Sequence, residues 1–180
     1  MKIIAKREAI LSPLQAVIGV VERKQTMPIL ANVLVAAKGG KLSITATDLE
    51  VELVATSDVD VQRGGEITIP GRKLLDICRA LPDGTEITPT QEGERMLVRA
   101  RESRFTLTTL PAAEFPTVEE INAEQTLQLP QKDFKRLLDK THFSMAQQDV
   151  RYYLNGLLLE TSAKMLRAVA TDGHRLALCE

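Results

Sequence analysis

The sequence predicts an α+β fold, antiparallel sheet with helices on one face, and it predicts that unit twice. Three observations carry this. Ala46-Thr47-Asp48 and Ala170-Thr171-Asp172 each sit between two runs of strand-like alternation. Laying Asp48 on Asp172 gives an offset of 124 residues, and Leu30, Leu34 and Leu42 then fall on Leu154, Leu158 and Leu166 without a gap. Further upstream, Ile10 and Leu14 fall on Phe134 and Leu138, so the helical stripes coincide as well. A period this long marks a domain repeat, not a solenoid.

In chain order, residues 2–6 read as a short strand. From Glu8 the period changes, and Ile10, Leu14, Val17, Ile18 and Val21 share one helical stripe. Pro13 is tolerable there only near the first turn, where amides lack partners, or at a kink. Glu22-Arg23-Lys24-Gln25-Thr26 is a polar, charged loop. Strands follow at 28–37, 41–47 and 49–56, with Gly39-Gly40 as the first hairpin turn. Asp48 suits a tight turn between the last two, because its side chain can bond back to its own main chain. Gly64-Gly65 marks another turn, before a strand at 66–70. A second helix runs from Gly71 to Leu81, buries Leu74, Ile77, Cys78 and Leu81, and is stopped by Pro82-Asp83-Gly84. Its opposite face carries Arg72, Lys73, Asp76 and Arg79 and is net basic. Strands at 85–91, 95–100 and 103–109 complete the unit, with Gly93 in the turn between the first two.

Residues 111–125, with two prolines, several acids and little alternation, read as a connection between domains at 1–120 and 121–180. The second unit restarts with a strand-like stretch at 127–130 and a helix at 131–142, whose inner stripe is Phe134, Leu137, Leu138 and Thr141. Lys132, Lys135, Arg136 and Lys140 lie on its other faces, partly offset by Asp133 and Asp139. The polar stretch 145–151 takes the place of the first unit's 22–27 loop. Strands follow at 152–160, 164–170 and 173–179. The first unit continues beyond this point with a strand, a helix and three more strands. Their absence here predicts a truncated second domain, with an unpaired sheet edge and an uncovered core face.

Composition bounds the function without naming it. A chain of 180 residues with net charge -1 is an ordinary globular composition, not a generally basic nucleic-acid coat, although one basic face can be balanced by an acidic back. Trp is absent and aromatics make up 3%, so the cores are aliphatic. Cys78 and Cys179 lie far apart among apolar residues, and read as buried reduced thiols in a cytoplasmic protein. The N-terminal stretch turns charged too soon for a signal peptide, and no apolar run approaches membrane-spanning length. No membrane partner is expected.

The whole chain resembles the bacterial DNA sliding clamps, the beta subunits of DNA polymerase III. The resemblance rests on Pro28-Ile29-Leu30-Ala31-Asn32, Thr47-Asp48-Leu49-Glu50, Arg72 to Arg79, Glu94 to Val98 and Ser103-Arg104-Phe105 in the first unit. In the second it rests on Phe143 to Ala146, Asp149 to Gly156 and Thr171 to Leu176. It implies the DNA-clamp fold, with three similar domains per subunit, sheets outside and two helices per domain inside. It implies two subunits closed head to tail around duplex DNA, with no catalysis and no cofactor. Such a ring tethers polymerase to template and gives processivity. This chain would then hold the first domain and about half of the second, would be unable to close a ring, and would be a monomer or associate through its exposed edges.

The resemblance also assigns residues. Lys24, Arg72, Gln148, Tyr152 and Tyr153 match DNA-contacting positions; the family commonly has Arg where Lys24 stands, so the charge is kept and the planar fork lost. Read from the sequence alone, the two tyrosines fit ordinary strand packing equally well. Leu154, Thr171, Gly173, His174, Arg175 and Leu176 match one wall of a pocket for short linear motifs. Its ligands are the polymerase III catalytic subunit, the clamp loader, and repair and translesion polymerases. Asp-Gly is also a standard turn dipeptide, so a plain hairpin is the alternative. Lys73, Arg95, Arg104, Phe105 and Leu107 match the subunit interface. Phe105 and Leu107 share a strand face, so at least one fits the core, and Glu102 replaces a basic residue common in the family.

The basic helix faces fit a solvated surface when taken singly. Equivalent helices in repeated domains can instead turn their charges to one axis, where contacts to phosphates without base reading permit sliding. Enzymatic readings lack support: His142 and His174 have no partner at ligand or relay spacing, and no metal or catalytic constellation is apparent. The rival function is a peptide-binding adaptor, or a short chain that antagonises the full ring, without encircling DNA.

Overall fold

The computed structural model describes residues 1–21, 27–118, 126–162 and 165–180. They form two compact units, Met1–Glu120 and Ile121–Glu180.

The first unit has two antiparallel sheets. Strands β1 (Lys2–Lys6), β2 (Asn32–Lys38), β3 (Lys41–Thr47), β4 (Glu52–Asp58), β5 (Asp60–Arg63), β6 (Gly65–Pro70), β7 (Glu86–Glu92), β8 (Arg95–Ala100) and β9 (Ser103–Thr108) assemble as β5-β1-β7-β8-β9 and β4-β3-β2-β6. Period-2 alternation fixes which side faces inward. Val33, Val35 and Ala37 of β2 stand opposite Ile69, Ile67 and Gly65 on one side, and Val35 and Ala37 stand opposite Ile44 and Leu42 on the other. In the larger sheet, Ala5 pairs with Ile87, Val98 with Phe105, and Met96 with Leu107. Helices α1 (Arg7–Val17) and α2 (Gly71–Ala80) add Ile10, Leu14, Val17, Leu74, Leu75 and Cys78 to the same core.

Pro13 sits in the middle of α1, not in its first turn. A proline there removes the amide that would bond the carbonyl four residues back, which is that of Ala9. The hydroxyl of Ser57 on β4 donates to that carbonyl at 2.5 Å. The sheet therefore supplies the partner that the helix lacks. At the start of α2, a Cβ on Gly71 would lie 2.8 Å from Val33 Cγ1 and 3.2 Å from Ile18 Cδ1. Glycine lets the helix begin against β2 without a side chain in the way.

In the first unit, four stretches differ from the sequence expectation. Pro28–Ala31 is a 3-10 turn, and β2 begins only at Asn32. Proline suits the first helical position, and Ile29 and Leu30 are buried against Phe115 instead of lying in a sheet. Residues 48–51 are a turn, so β4 starts at Glu52. β5 was not expected, because Val61 is its one apolar residue; it pairs with β1 before the chain crosses to the other sheet at Gly64-Gly65. Residues 111–118, expected in the interdomain connection, are docked on the first unit: Phe115 is buried, Thr68 and Leu110 pair across a bridge, and the Val118 amide donates to Glu52.

The second unit has helix α3 (Gln131–Thr141) against a three-stranded antiparallel sheet, β10 (Leu158–Ser162), β11 (Met165–Thr171) and β12 (Leu176–Cys179), in that order. Residues 126–130 form no strand, and Tyr152–Leu154 is a 3-10 turn where a strand was expected. Leu137 and Thr141 are buried, whereas Phe134 and Leu138 are only half-buried. Leu127, Leu158, Leu159, Leu176 and Leu178 are exposed. Cys78 is buried, as expected, but Cys179 is half-exposed on the edge strand β12.

Candidate nucleic-acid interface

Two loops of the second unit hold most of the candidate residues. The first, 146–155, closes on itself. The Ala146 amide donates to the Leu154 carbonyl at 3.0 Å. Asn155 and Asp149 bond reciprocally: the Asp149 amide donates to Asn155 Oδ1 and Asn155 Nδ2 donates to the Asp149 carbonyl, both at 3.0 Å. Arg151 adds a fork, with Nε at 3.0 Å from Asp149 Oδ1 and Nη2 at 2.8 Å from Oδ2. These side-chain bonds, together with the Arg151 amide on the same carboxylate, hold Asp149 down to about 2.

With Asp149, Arg151 and Asn155 bonded to one another, the loop presents other side chains to solvent. Tyr152 is 83% and Tyr153 68% exposed, with their rings edge to face at 6.0 Å. Strand packing therefore does not account for the tyrosines. Gln148 is exposed on the same loop, at a φ of 58°. Tyr hydroxyls and a Gln amide are suited to phosphate contacts that carry no sequence information.

The second loop is the turn from Thr171 to Leu176. Asp172 Oδ1 accepts from the His174 and Arg175 amides, and Thr171 Oγ1 accepts from the Gly173 amide. The two backbone bonds, with the Arg175 guanidinium after them, lower the Asp172 carboxyl below its usual range. Arg175 also lies over the Phe143 ring, 5.9 Å from its centroid. Gly173, His174, Arg175 and Leu176 are exposed, and Leu154 and Thr171 are half-buried. This is a plain hairpin turn by its bonds, and it nevertheless presents an apolar side chain, Leu176, to solvent.

The remaining expected contacts are dispersed. Lys24 lies outside the described residues. Arg72 is not on the open face of α2. It is half-buried, and its guanidinium donates to the Val21 carbonyl at the end of the first helical segment, with Nε buried and without a partner among the described residues. Helix ends leave carbonyls without intrahelical partners, and a cation is favoured there. Lys73, Asp76 and Arg79 do face solvent. On α3, Lys132, Lys135, Arg136 and Lys140 are exposed; Lys135 pairs with Asp139 and Arg136 donates to the Glu180 carbonyl.

Of the expected interface residues, Lys73, Arg95 and Arg104 are exposed and Phe105 is half-buried. Leu107 is a core side chain, 6% exposed, because it shares the inward face of β9 with Phe105 and pairs with Met96. Arg104 points outward, directly opposite Arg99.

Asp149, Arg151 and Asn155 enter the sequence reading only within the family-like stretch Asp149 to Gly156, with no role of their own. Asp149-x-Arg151 carries the local signal of a carboxylate bonding the amide two residues on. The reach of Arg151 to the second loop has no local signal.

Comparison with known proteins identifies the family. Residues 1–119 match the model of the DNA polymerase III beta subunit, N-terminal domain, and residues 128–180 match that of its central domain. The beta sliding clamp of Pseudomonas putida is 57% identical over 175 residues, covering 97% of this chain and 48% of that protein. The beta sliding clamp of Escherichia coli K12 is 54% identical over 180 residues, 99% of this chain and 49% of that one. The crystal structure of a Pseudomonas aeruginosa sliding clamp bound to griselimycin superimposes with a TM-score of 0.95 at 56% identity, covering 99% of this chain and 49% of that one. The Caulobacter crescentus beta subunit gives 0.92 at 41% identity, covering 99% of this chain and 49% of that one. The chain thus spans about half the length of the relatives it matches. With both domain models matched in order and the fold shared throughout, it belongs to the DNA polymerase III beta subunit family.

Proposed function

We propose that this chain supplies the first domain and part of the second domain of a DNA sliding clamp. The whole protein is a head-to-tail dimeric ring that encircles duplex DNA and tethers the replicative polymerase. It does no chemistry of its own, and its hold on DNA is topological, helped by modest phosphate contacts. The observation that carries this reading is the match to two consecutive clamp domains with one continuous structural superposition.

Within it, Gln148, Tyr152 and Tyr153 face the DNA and Lys24 is assigned to it by family position, whereas Arg72, half-buried on the Val21 carbonyl, reaches DNA only by giving up that bond. Leu154, Thr171 and Gly173 to Leu176 form one wall of the pocket for short linear motifs of polymerases, clamp loader and repair proteins. Lys73, Arg95, Arg104 and Phe105 meet the partner subunit. Leu107 supports that edge from inside the core. An unassisted 180-residue chain cannot close a ring and is a monomer with weak DNA binding.

The test loads a chain of the relatives' full length onto nicked circular DNA and then linearises the circle. Retention that is lost on cutting supports the reading, and retention on linear DNA overturns it. The present chain is expected to be retained on neither.

A further inference from the structure

The 3-10 turn Tyr152–Leu154 carries residues of both proposed surfaces, two tyrosines for DNA and one leucine for peptide. Arg151, directly before it, stands between the two loops. While Nε and Nη2 hold Asp149, the same Nη2 lies 3.5 Å from the Asp172 carbonyl. A Cβ on Gly173 would come within 3.3 Å of Arg151 Nη1. The guanidinium thus lies against both the 146–155 loop and the 171–176 turn, and a side chain at residue 173 would have to press it aside by a few tenths of an ångström. Gln148, Asp149, Arg151, Asp172, His174 and Arg175 line one polar cleft at this junction.

We propose that Arg151 is a positioning residue that makes the loop and the turn one mechanical body, so that duplex DNA seated on the loop alters the peptide-facing turn, and the reverse. This rests on the reading above that the loop faces DNA and the turn faces peptide. Coupling between binding sites is reciprocal, and it needs an element whose arrangement both ligands bias. Arg151 is such an element. Its planar fork holds a carboxylate by two nitrogens and still reaches a carbonyl, which the point charge of a lysine cannot reproduce. Asp149 already matches its charge, which weakens its pull on a phosphate.

The experiment uses the 180-residue chain labelled with 15N and titrated with a short DNA duplex. Amide shifts at Tyr152 and Tyr153 are expected to titrate together with shifts at Gly173, His174 and Arg175, with one common Kd. In Arg151→Lys, the loop amides still titrate, with the same salt dependence, and the turn amides fall silent. Asp149→Asn removes the fork from the other side and is expected to give the same separation. Turn amides silent in the unsubstituted chain, with loop amides shifting, would overturn the coupling and leave the DNA reading intact. Turn amides that shift equally in both variants would overturn the role of Arg151. If neither loop nor turn responds to DNA, the placement of DNA on this loop and the present inference fall together, and the ring is judged separately by the loading experiment.

Discussion

Leu49 and Gly173 occupy the same place in the same turn, one in each unit, at φ values of 80° and 89°. In both turns a Thr hydroxyl accepts from the amide of this residue at 3.0 Å. In both, the following Asp carboxylate caps the next two amides. The bonds are the same and the residue is not. A non-glycine residue in the left-handed region costs roughly 1–2 kcal/mol. Leu49→Gly is therefore expected to raise the stability of the first unit by about 1 kcal/mol, net of the entropy that glycine adds to the unfolded chain. Urea unfolding followed by circular dichroism checks it. A loss of stability would mean that the leucine side chain, 53% exposed, makes contacts worth more than the strain.

The Ser57 hydroxyl and Pro13 form a second testable pair. Ser57→Ala leaves the Ala9 carbonyl without its donor, and is expected to cost about 1–3 kcal/mol. Pro13→Ala restores an amide in the helix that can bond Ala9 directly. In that background Ser57→Ala should cost much less, so the double-mutant cycle should be non-additive. Strict additivity would show that the two sites are unrelated.

Asp149 gives a pH prediction. Its folded pKa is depressed from 3.8 to about 2, so its contribution is complete above the unfolded value and is lost as pH falls through the folded one. The 146–155 loop is expected to hold at pH 4 and to loosen only as pH approaches about 2. Carboxyl carbon shifts of Asp149 followed by NMR, beside the Tyr152 and Tyr153 amides, report both events. Loosening near pH 4 would contradict the Arg151 fork.

The cysteines differ in accessibility. Burial pushes the Cys78 thiol up to about 11, and it is 0% exposed. Cys179 is half-exposed on an edge strand. The thiolate is the reactive form. One thiol, Cys179, is expected to react with a maleimide in the native chain, and both in denaturant. Mass mapping of the labelled peptide distinguishes them.

Legibility in the sequence followed the range of the determining interaction. β3 and β9 alternate in apolar residues and β8 holds a short apolar run bounded by charges, and their places are readable to within a residue. The Asp48 and Asp172 turns were readable because an Asx side chain acts on its own neighbours. Pro28–Ala31 and Tyr152–Leu154 were misread as strand because apolar and aromatic residues favour strands when nothing else is known. What decided them was distant or side-chain bonding: Phe115 over Ile29 and Leu30, and Asn155 closing on Asp149. The same limit applies to the site. Tyr152 and Tyr153 were placed by resemblance, and the helical period put Arg72 on an open face. The carbonyl that draws it inward, that of Val21, is 51 residues away in the chain.

Phe115 also bears on how this protein can be dissected. Composition alone would cut at Pro111, where the strands have ended and the prolines and acids begin. A first unit cut there would lose the ring that covers Ile29 and Leu30, and the strand edge at Thr68 would keep Leu110 with nothing beyond it to hold it in place. Two apolar side chains would face water and invite sticking between copies. A cut made after Val118 keeps the ring and the Glu52 contact. The shortest independent version of this unit therefore carries a tail that looks dispensable by every local criterion.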